Sequence, residues 1–440
     1  MTDLLLTDIG ELLTCRSPRG YRRGEAELNS LEVIRDAAIA ISGGVIVDVG
    51  PSVELSQRHI AAREQVSADG KVVTPGLVDC HSHLLHGGTR HEEYESLVAG
   101  TRSPAKNLGG GIRYTVARTR AASDEQLLEQ ARADLDLMLE HGTTTLEVKT
   151  GYGLDRAHEQ RFLRLQAALE HEVRLARTFL GAHVLPDEYR DDRGAYVDLV
   201  VGLLPEARQH AEFCDVCCDP TAFTYEECRR VAEEAVVLGL KLKVHADQTG
   251  WARGTELAVD MGATSVDHLD YASDAAIAAL ASSDCVGVLL PAVTFHMLEM
   301  TPVPEEGRWI GPKKPFMPEL ARRLVKAGVI VALSCDYNPG TAPTLSMQTT
   351  MQLASRLYRL SYAEIWHLCT INAAKALGLD NMVGSIEVGK RADLVMWDVP
   401  QHGLVINRFG TNHVDTVFSD GRLVVMGGKR TVFDALHSAR

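Results

Sequence analysis

DEQLLEQARADLDLMLEHGTTTLEVKT, residues 124–150, contains both halves of one structural unit. Apolar residues recur at Leu127, Leu128, Ala131, Leu135, Met138 and Leu139, three and four apart, as on a helix that buries one face. His141-Gly142 breaks that period. The β-branched run TTTLEVKT then follows and ends on the polar pair Lys149-Thr150. Seven further runs of this kind are legible: GLVDCHSH (76–83), RTFLGAHV (177–184), FCDVCCD (213–219), LKLKVHAD (240–247), ATSVDHLD (263–270), CVGVLLP (285–291) and VIVALSCD (329–336). Most are separated by helical patterns. Alternating strand and helix predicts a parallel sheet, and eight units predict an α/β fold closed into a (β/α)8 TIM-like barrel. Most of the runs end in His, Lys or Asp at their C-terminal edge, which is the active-site face of such a barrel.

Two segments do not fit that period. Residues 1–75 alternate as short strands around ISGGVIVDVG (41–50), and so does the tail, GSIEVGKRADLVMWDVP (384–400) with FSDGRLVVMGGKR (418–430). Residues 1–75 and 385–440 are therefore expected to meet as a small β-sandwich domain, with the barrel spanning 76–384.

A chain of 440 residues that is 45% hydrophobic suffices for a large domain and a small one. Its formal charge of −14 repels a nucleic-acid backbone, so a small-molecule substrate is expected. No apolar run approaches the roughly 20 residues that span a bilayer. The start MTDLLLTDIG lacks a signal-peptide pattern, so a cytosolic location is expected. Nine scattered cysteines predict free thiols, and the cluster Cys214, Cys217, Cys218 reads as part of a buried strand.

The chemistry begins at His81-Ser82-His83, because residues i and i+2 of a strand point to one face. Three more predicted strands present a histidine at the same depth: His183, His245 and His268. Asp336 ends the eighth. Imidazole and carboxylate together suit zinc or ferrous iron, and a catalytic site keeps one position open for water. A structural site closed by four ligands would not need His183 and His268 nearby.

PGLVDCHSHL, with the histidines of strands five and six and the aspartate of strand eight, resembles the amidohydrolase superfamily. HGGTRHEEY, NLGGGIRYTV, RTRAAS, EVKTGYGLD, FLGAHVLPDEY, VHADQ, VDHLDY and DYNPGTAPTLS, in that order, resemble its imidazolonepropionase family and span nearly the whole barrel. The tail resembles the sandwich domain shared across the superfamily.

The resemblance implies hydrolysis of 4-imidazolone-5-propanoate to N-formimidoyl-L-glutamate, a step of histidine breakdown that cuts a ring C–N bond. It implies one divalent metal per chain, zinc or iron, on His81, His83, His245 and Asp336. Asp336 would also take a proton from the attacking water, and His268 would stabilise the oxyanion. His183 would bond the ring edge. Arg90 and Tyr152 would hold the propionate, since a guanidinium matches a carboxylate with a bidentate fork. Asn338, Gln248 and Ser103 are further substrate-binding candidates. Lys149 stands where some superfamily members carry a metal-bridging carboxylated lysine, and is read here as lying behind the ligands.

Three positions depart from the family pattern. Gln248 stands where some members have glutamate. Ser103 lies in a shortened stretch, TRSPAKNLGGG, near a place where the family often has tyrosine. An added loop, 300–317, follows the seventh strand, and loops on that face set specificity. A sister amidohydrolase acting on a hydantoin- or thiohydantoin-like ring with a carboxylate arm is the alternative reading. A deaminase comes third, because Gln248 cannot deliver a proton to a ring nitrogen, and a non-catalytic metal-binding scaffold last. A homodimer is the expected assembly.

Overall fold

The computed structural model describes residues 2–99, 110–299 and 317–431. Its centre is an eight-stranded sheet whose neighbours follow chain order: Leu77–Asp79, Thr143–Lys149, Arg174–Ala182, Phe213–Cys218, Lys241–Ala246, Ser265–His268, Val286–Leu289 and Ile330–Leu333. Every pairing is parallel. The first and eighth strands meet just past their ends. There Ser82 bridges Tyr337, the His83 amide donates to the Tyr337 carbonyl at 2.8 Å, and the Asp336 amide donates to the His81 carbonyl at 3.1 Å. All eight expected runs are barrel strands, and closure places His81, His83 and Asp336 on one seam.

The helices pack outside the barrel for the reason their sequence predicts. Asp124–Glu140 starts at Ser123, whose side chain and that of Gln126 form a reciprocal cap. It buries Leu127, Ala131, Leu135, Met138 and Leu139. Thr224 with Glu227, and Ser361 with Glu364, cap two further helices in the same way. All nine cysteines are free and buried, and Phe213–Cys218 is a fully buried strand.

The two flanking segments form one continuous sheet of nine strands. Lys429–Arg430, Arg422–Met426, Val414–Ser419 and Leu394–Trp397 lead into Val72–Pro75, Leu4–Leu13, Val33–Ser42 and Val45–Pro51, and Glu64–Ser67 pairs beside Leu4–Leu13. The tail joins the N-terminal part where Leu394–Trp397 runs antiparallel to Val72–Pro75. Residues from both parts, among them Leu6, Ile39, Leu394 and Phe418, share one apolar cluster. Trp397 is held within the sheet by its indole N–H, which donates to Thr74 Oγ1 at 2.9 Å, and its ring packs off the sheet, edge-on at 5.7 Å against Trp366 of the helix Tyr362–Leu368. No helix among the described residues is long and apolar enough to cross a membrane.

Candidate active site

Strand polarity brings the predicted residues together. His81 and His83 follow the first strand, His183 the third and Asp336 the eighth, while His245 and His268 lie in the last turns of the fifth and sixth. All six are at C-terminal ends. Asp336 and His268 adopt positive φ, +54° and +80°, a strained backbone for such residues that turns their side chains inward off the strand direction.

The donor atoms are spaced for a cation. His81 Nε2 and His83 Nε2 each lie 3.4 Å from Asp336 Oδ1, and His245 Nε2 lies 3.5 Å from His83 Nε2. A tetrahedral ion with ligand bonds of about 2.1 Å sets its donors about 3.4 Å apart. Three spacings of that size therefore link these four residues. His81 Nε2 and Asp336 Oδ1 are buried and have no hydrogen-bond partner, a costly arrangement unless something else binds them. Among the described residues, donor atoms within 4.8 Å of one another form three overlapping sets: His81, His83 and Asp336; His81, His245 and His268; and His83, His183 and His245.

Behind the imidazoles lies a charged network of which the sequence reading gave only Lys149. Asp267 Oδ2 contacts His81 Nδ1 at 2.6 Å, and Asp215 Oδ2 contacts His245 Nδ1 at 2.9 Å. Carboxylates placed in this way fix the ring tautomer and point Nε2 forward. Lys149 Nζ reaches Asp215 at 2.7 Å and Glu147 at 2.9 Å, and Lys243 Nζ reaches Glu147 at 2.9 Å. Two ammonium groups thus face three carboxylates, all fully buried, which leaves an excess negative charge that favours a cation in front. A carbamate on Lys149 would set an anion against Asp215 and Glu147, so the lysine is an ammonium here. One signal for this network was present in the sequence. Glu147 and Lys149, like Lys243 and His245, are spaced i and i+2 inside otherwise apolar strands.

Burial, reinforced by Lys149 and the other imidazoles, keeps His81 well below its usual pKa. Burial with His183 and His245 does the same for His83. Both rings are thereby neutral, the form that binds a metal. Burial would raise the Asp215 carboxyl, yet His245 and Lys149 hold it well below the usual carboxylate range. Burial pushes Asp336 up to about 7, against the pull of His245.

The remaining predicted residues that the structure describes lie along the rim and its loops. His183 stacks on His83 at 4.9 Å with Nδ1 on the Gly151 carbonyl, and buried Tyr152 packs 5.6 Å from His83. Arg90 is clamped by Glu93 through Nε and Nη2, each at 3.1 Å, and its Nη1 approaches Gly340 so closely that a Cβ there would clash. Asn338 differs from expectation, because its amide is spent on its own turn. It accepts from the Gly340 and Thr341 amides and donates to the Asp336 carbonyl and Thr341 Oγ1, so it shapes the Asp336 loop rather than reaching outward. Gln248 is half-buried three residues past His245, with its backbone amide on Asp219. Ser103 and the added loop 300–317 lie outside the described residues, apart from the backbone of Met317.

Residues 72–424 match the amidohydrolase family model. The imidazolonepropionase of Fusobacterium nucleatum subsp. nucleatum is 39% identical over 430 residues, covering 96% of this chain and 98% of that one. That of Thermoanaerobacter pseudethanolicus is 40% identical over 436 residues, covering 97% and 99%. The chain belongs to the imidazolonepropionase family of amidohydrolases. This amidohydrolase also shares its fold with an adenosine deaminase from Xanthomonas campestris solved with bound zinc, at a TM-score of 0.70 and 20% identity over 99% of this chain and 95% of that one. It is a hydrolase of cyclic-amide C–N bonds, and its histidine cluster suits a divalent metal.

Proposed function

We propose that this amidohydrolase opens the ring of 4-imidazolone-5-propanoate to give N-formimidoyl-L-glutamate, using one zinc or ferrous ion per chain held by His81, His83, His245 and Asp336. The observation that carries the reading is the run of 3.4–3.5 Å donor spacings through those four residues, in a chain that matches imidazolonepropionases end to end. A divalent cation supplies a water of lowered pKa and polarises a carbonyl. The chain's own residues do the rest. Asp336 accepts the proton of the attacking water, and His268 donates to the oxygen on which negative charge develops. His183, with its Nδ1 on Gly151, offers Nε2 to the ring edge. Tyr152 walls the pocket, and Arg90, braced by Glu93, meets the propionate. The proposed working form is a cytosolic homodimer, which sedimentation of the purified protein would check.

The test is a panel of five-membered cyclic amides with and without a propionate arm, followed by loss of ring absorbance. Only rings with the arm should turn over well. Arg90→Ala should raise KM for a carboxylate-bearing ring about ten- to a hundredfold, the value of a charged bidentate contact, and hardly affect an uncharged analogue. An equal response of both substrates would mean that Arg90 only braces its loop, and preference for a hydantoin-type ring would favour the sister-hydrolase reading.

A further inference from the structure

Lys149 makes no contact with the donor atoms themselves, yet it shares an oxygen with each carboxylate that orients an imidazole. Asp215 Oδ2 lies 2.7 Å from Lys149 Nζ and 2.9 Å from His245 Nδ1. Asp267 Oδ2 lies 3.9 Å from the same Nζ and 2.6 Å from His81 Nδ1. One ammonium therefore stands at the junction of two carboxylate–imidazole arms that come from different strands. We propose that Lys149 is a positioning residue that couples His81 to His245 and thereby sets how tightly the site holds its cation. The inference rests on the metal site proposed above.

The geometry gives each group one task. Glu147 Oε1 anchors Lys149 at 2.9 Å, and Ser265 Oγ holds the other oxygen of Asp267 at 2.8 Å. Lys243 Nζ is bonded to Glu147 at 2.9 Å and to the Cys80 carbonyl at 2.7 Å, and its charge also acts on Asp267. Of the two ammonium groups, Lys149 is the one that lies within 4 Å of both orienting carboxylates. Without it, Asp215 and Asp267 would repel each other in a site shielded from water, where such repulsion is strong. They would draw apart and leave both Nδ1 atoms, releasing the rings from the tautomer and orientation that aim Nε2 at the cation. Pairing across the barrel makes this coupling possible. His245 sits beside Asp267 in the register of the fifth and sixth strands, and Lys243 beside Asp215 in that of the fourth and fifth.

Lys149→Met keeps the aliphatic stem and removes the charge. Lys149→Met combined with Glu147→Gln removes one charge of each sign and is measured beside it, because the single variant leaves buried carboxylates unpaired. Asp267→Asn, which keeps the outline of the side chain, is the third variant. Each full-length protein is titrated with zinc against a competing chelator, and its cobalt-loaded form is examined by visible absorption. The zinc dissociation constant should rise about ten- to a hundredfold, the usual cost of losing a group behind a metal ligand. The cobalt band should shift. In the Asp267→Asn background, Lys149→Met should add less than it costs alone, because both act through the same arm. A folded Lys149 variant, or Asp267→Asn, with the parent's zinc affinity and cobalt spectrum overturns the inference. Parent protein that binds neither zinc nor iron overturns the proposed function instead, before any variant is compared.

Discussion

Stripping the divalent cation with a chelator is expected to abolish ring opening while leaving the barrel folded, and zinc or ferrous iron should restore activity. Activity should vanish because the attacking water then has no source of lowered pKa, and Asp336 alone is too weak a base to replace it. The fold should survive because the donor residues occupy only the rims of the strands. The strand interiors are held by separate apolar clusters, one including Leu146, Val148, Leu242 and Val244, that make no use of a metal. Loss of the cation should nevertheless lower the melting temperature, because a ligand that binds only the native state stabilises it, by about 2.7 kcal/mol at a hundredfold excess over Kd. Asp336→Asn should lower the turnover number by about 10²–10⁴, the range for losing a general base, and weaken metal retention as well. Elemental analysis, circular dichroism and the ring-absorbance assay together check this. A metal-free protein at full activity would sink the reading.

The same separation of rim from core explains what was legible in the sequence. Most of the eight strands stand out because they are short apolar runs, largely buried and cut off by a polar residue, so that periodicity and polarity agree. His81 and His83 are visible through the period of two. His183, His245, His268 and Asp336 follow from the rule that chemistry sits at strand C-termini. Hidden from that reading were Asp215 and Asp267. Each orients an imidazole contributed by another strand, and such partners appear only once register is known: His81 and Asp267 are 186 residues apart. Asn338 is a different case. An Asn two residues after a catalytic aspartate looks like a substrate contact, but an Asn-Pro-Gly sequence is also a strong turn, and here local hydrogen bonding takes up its amide. The terminal sheet was legible as strands but not in its order. The parallel pairing of Leu4–Leu13 with both Glu64–Ser67 and Val72–Pro75 depends on contacts that no local pattern encodes.

His268→Ala is expected to lower the turnover number about a hundredfold or more, with little change in KM and none in metal content. Two roles compete for this residue. Its ring lies 5.3 Å from His245 and 5.6 Å from His81, and a donor atom of His268 falls within 4.8 Å of theirs, so ligation is geometrically open to it. The 3.4–3.5 Å spacings, however, run through His81, Asp336, His83 and His245, which already make four donors. A further donor beside those four is better placed to face the substrate oxygen. There it donates a proton to an oxygen whose charge appears only as the ring carbonyl becomes tetrahedral, so its loss should fall on the chemical step rather than on binding. The backbone supports that role. At φ +80° His268 occupies a strained conformation that swings the ring off the strand direction, and strain of this kind persists where the surrounding structure holds a functional side chain in place. Metal analysis of the purified variant separates the two roles. Protein that keeps its cation but turns over slowly supports the oxyanion donor. Protein that loses its cation makes His268 a ligand, and the set of four would then have to be redrawn around His81, His245 and His268.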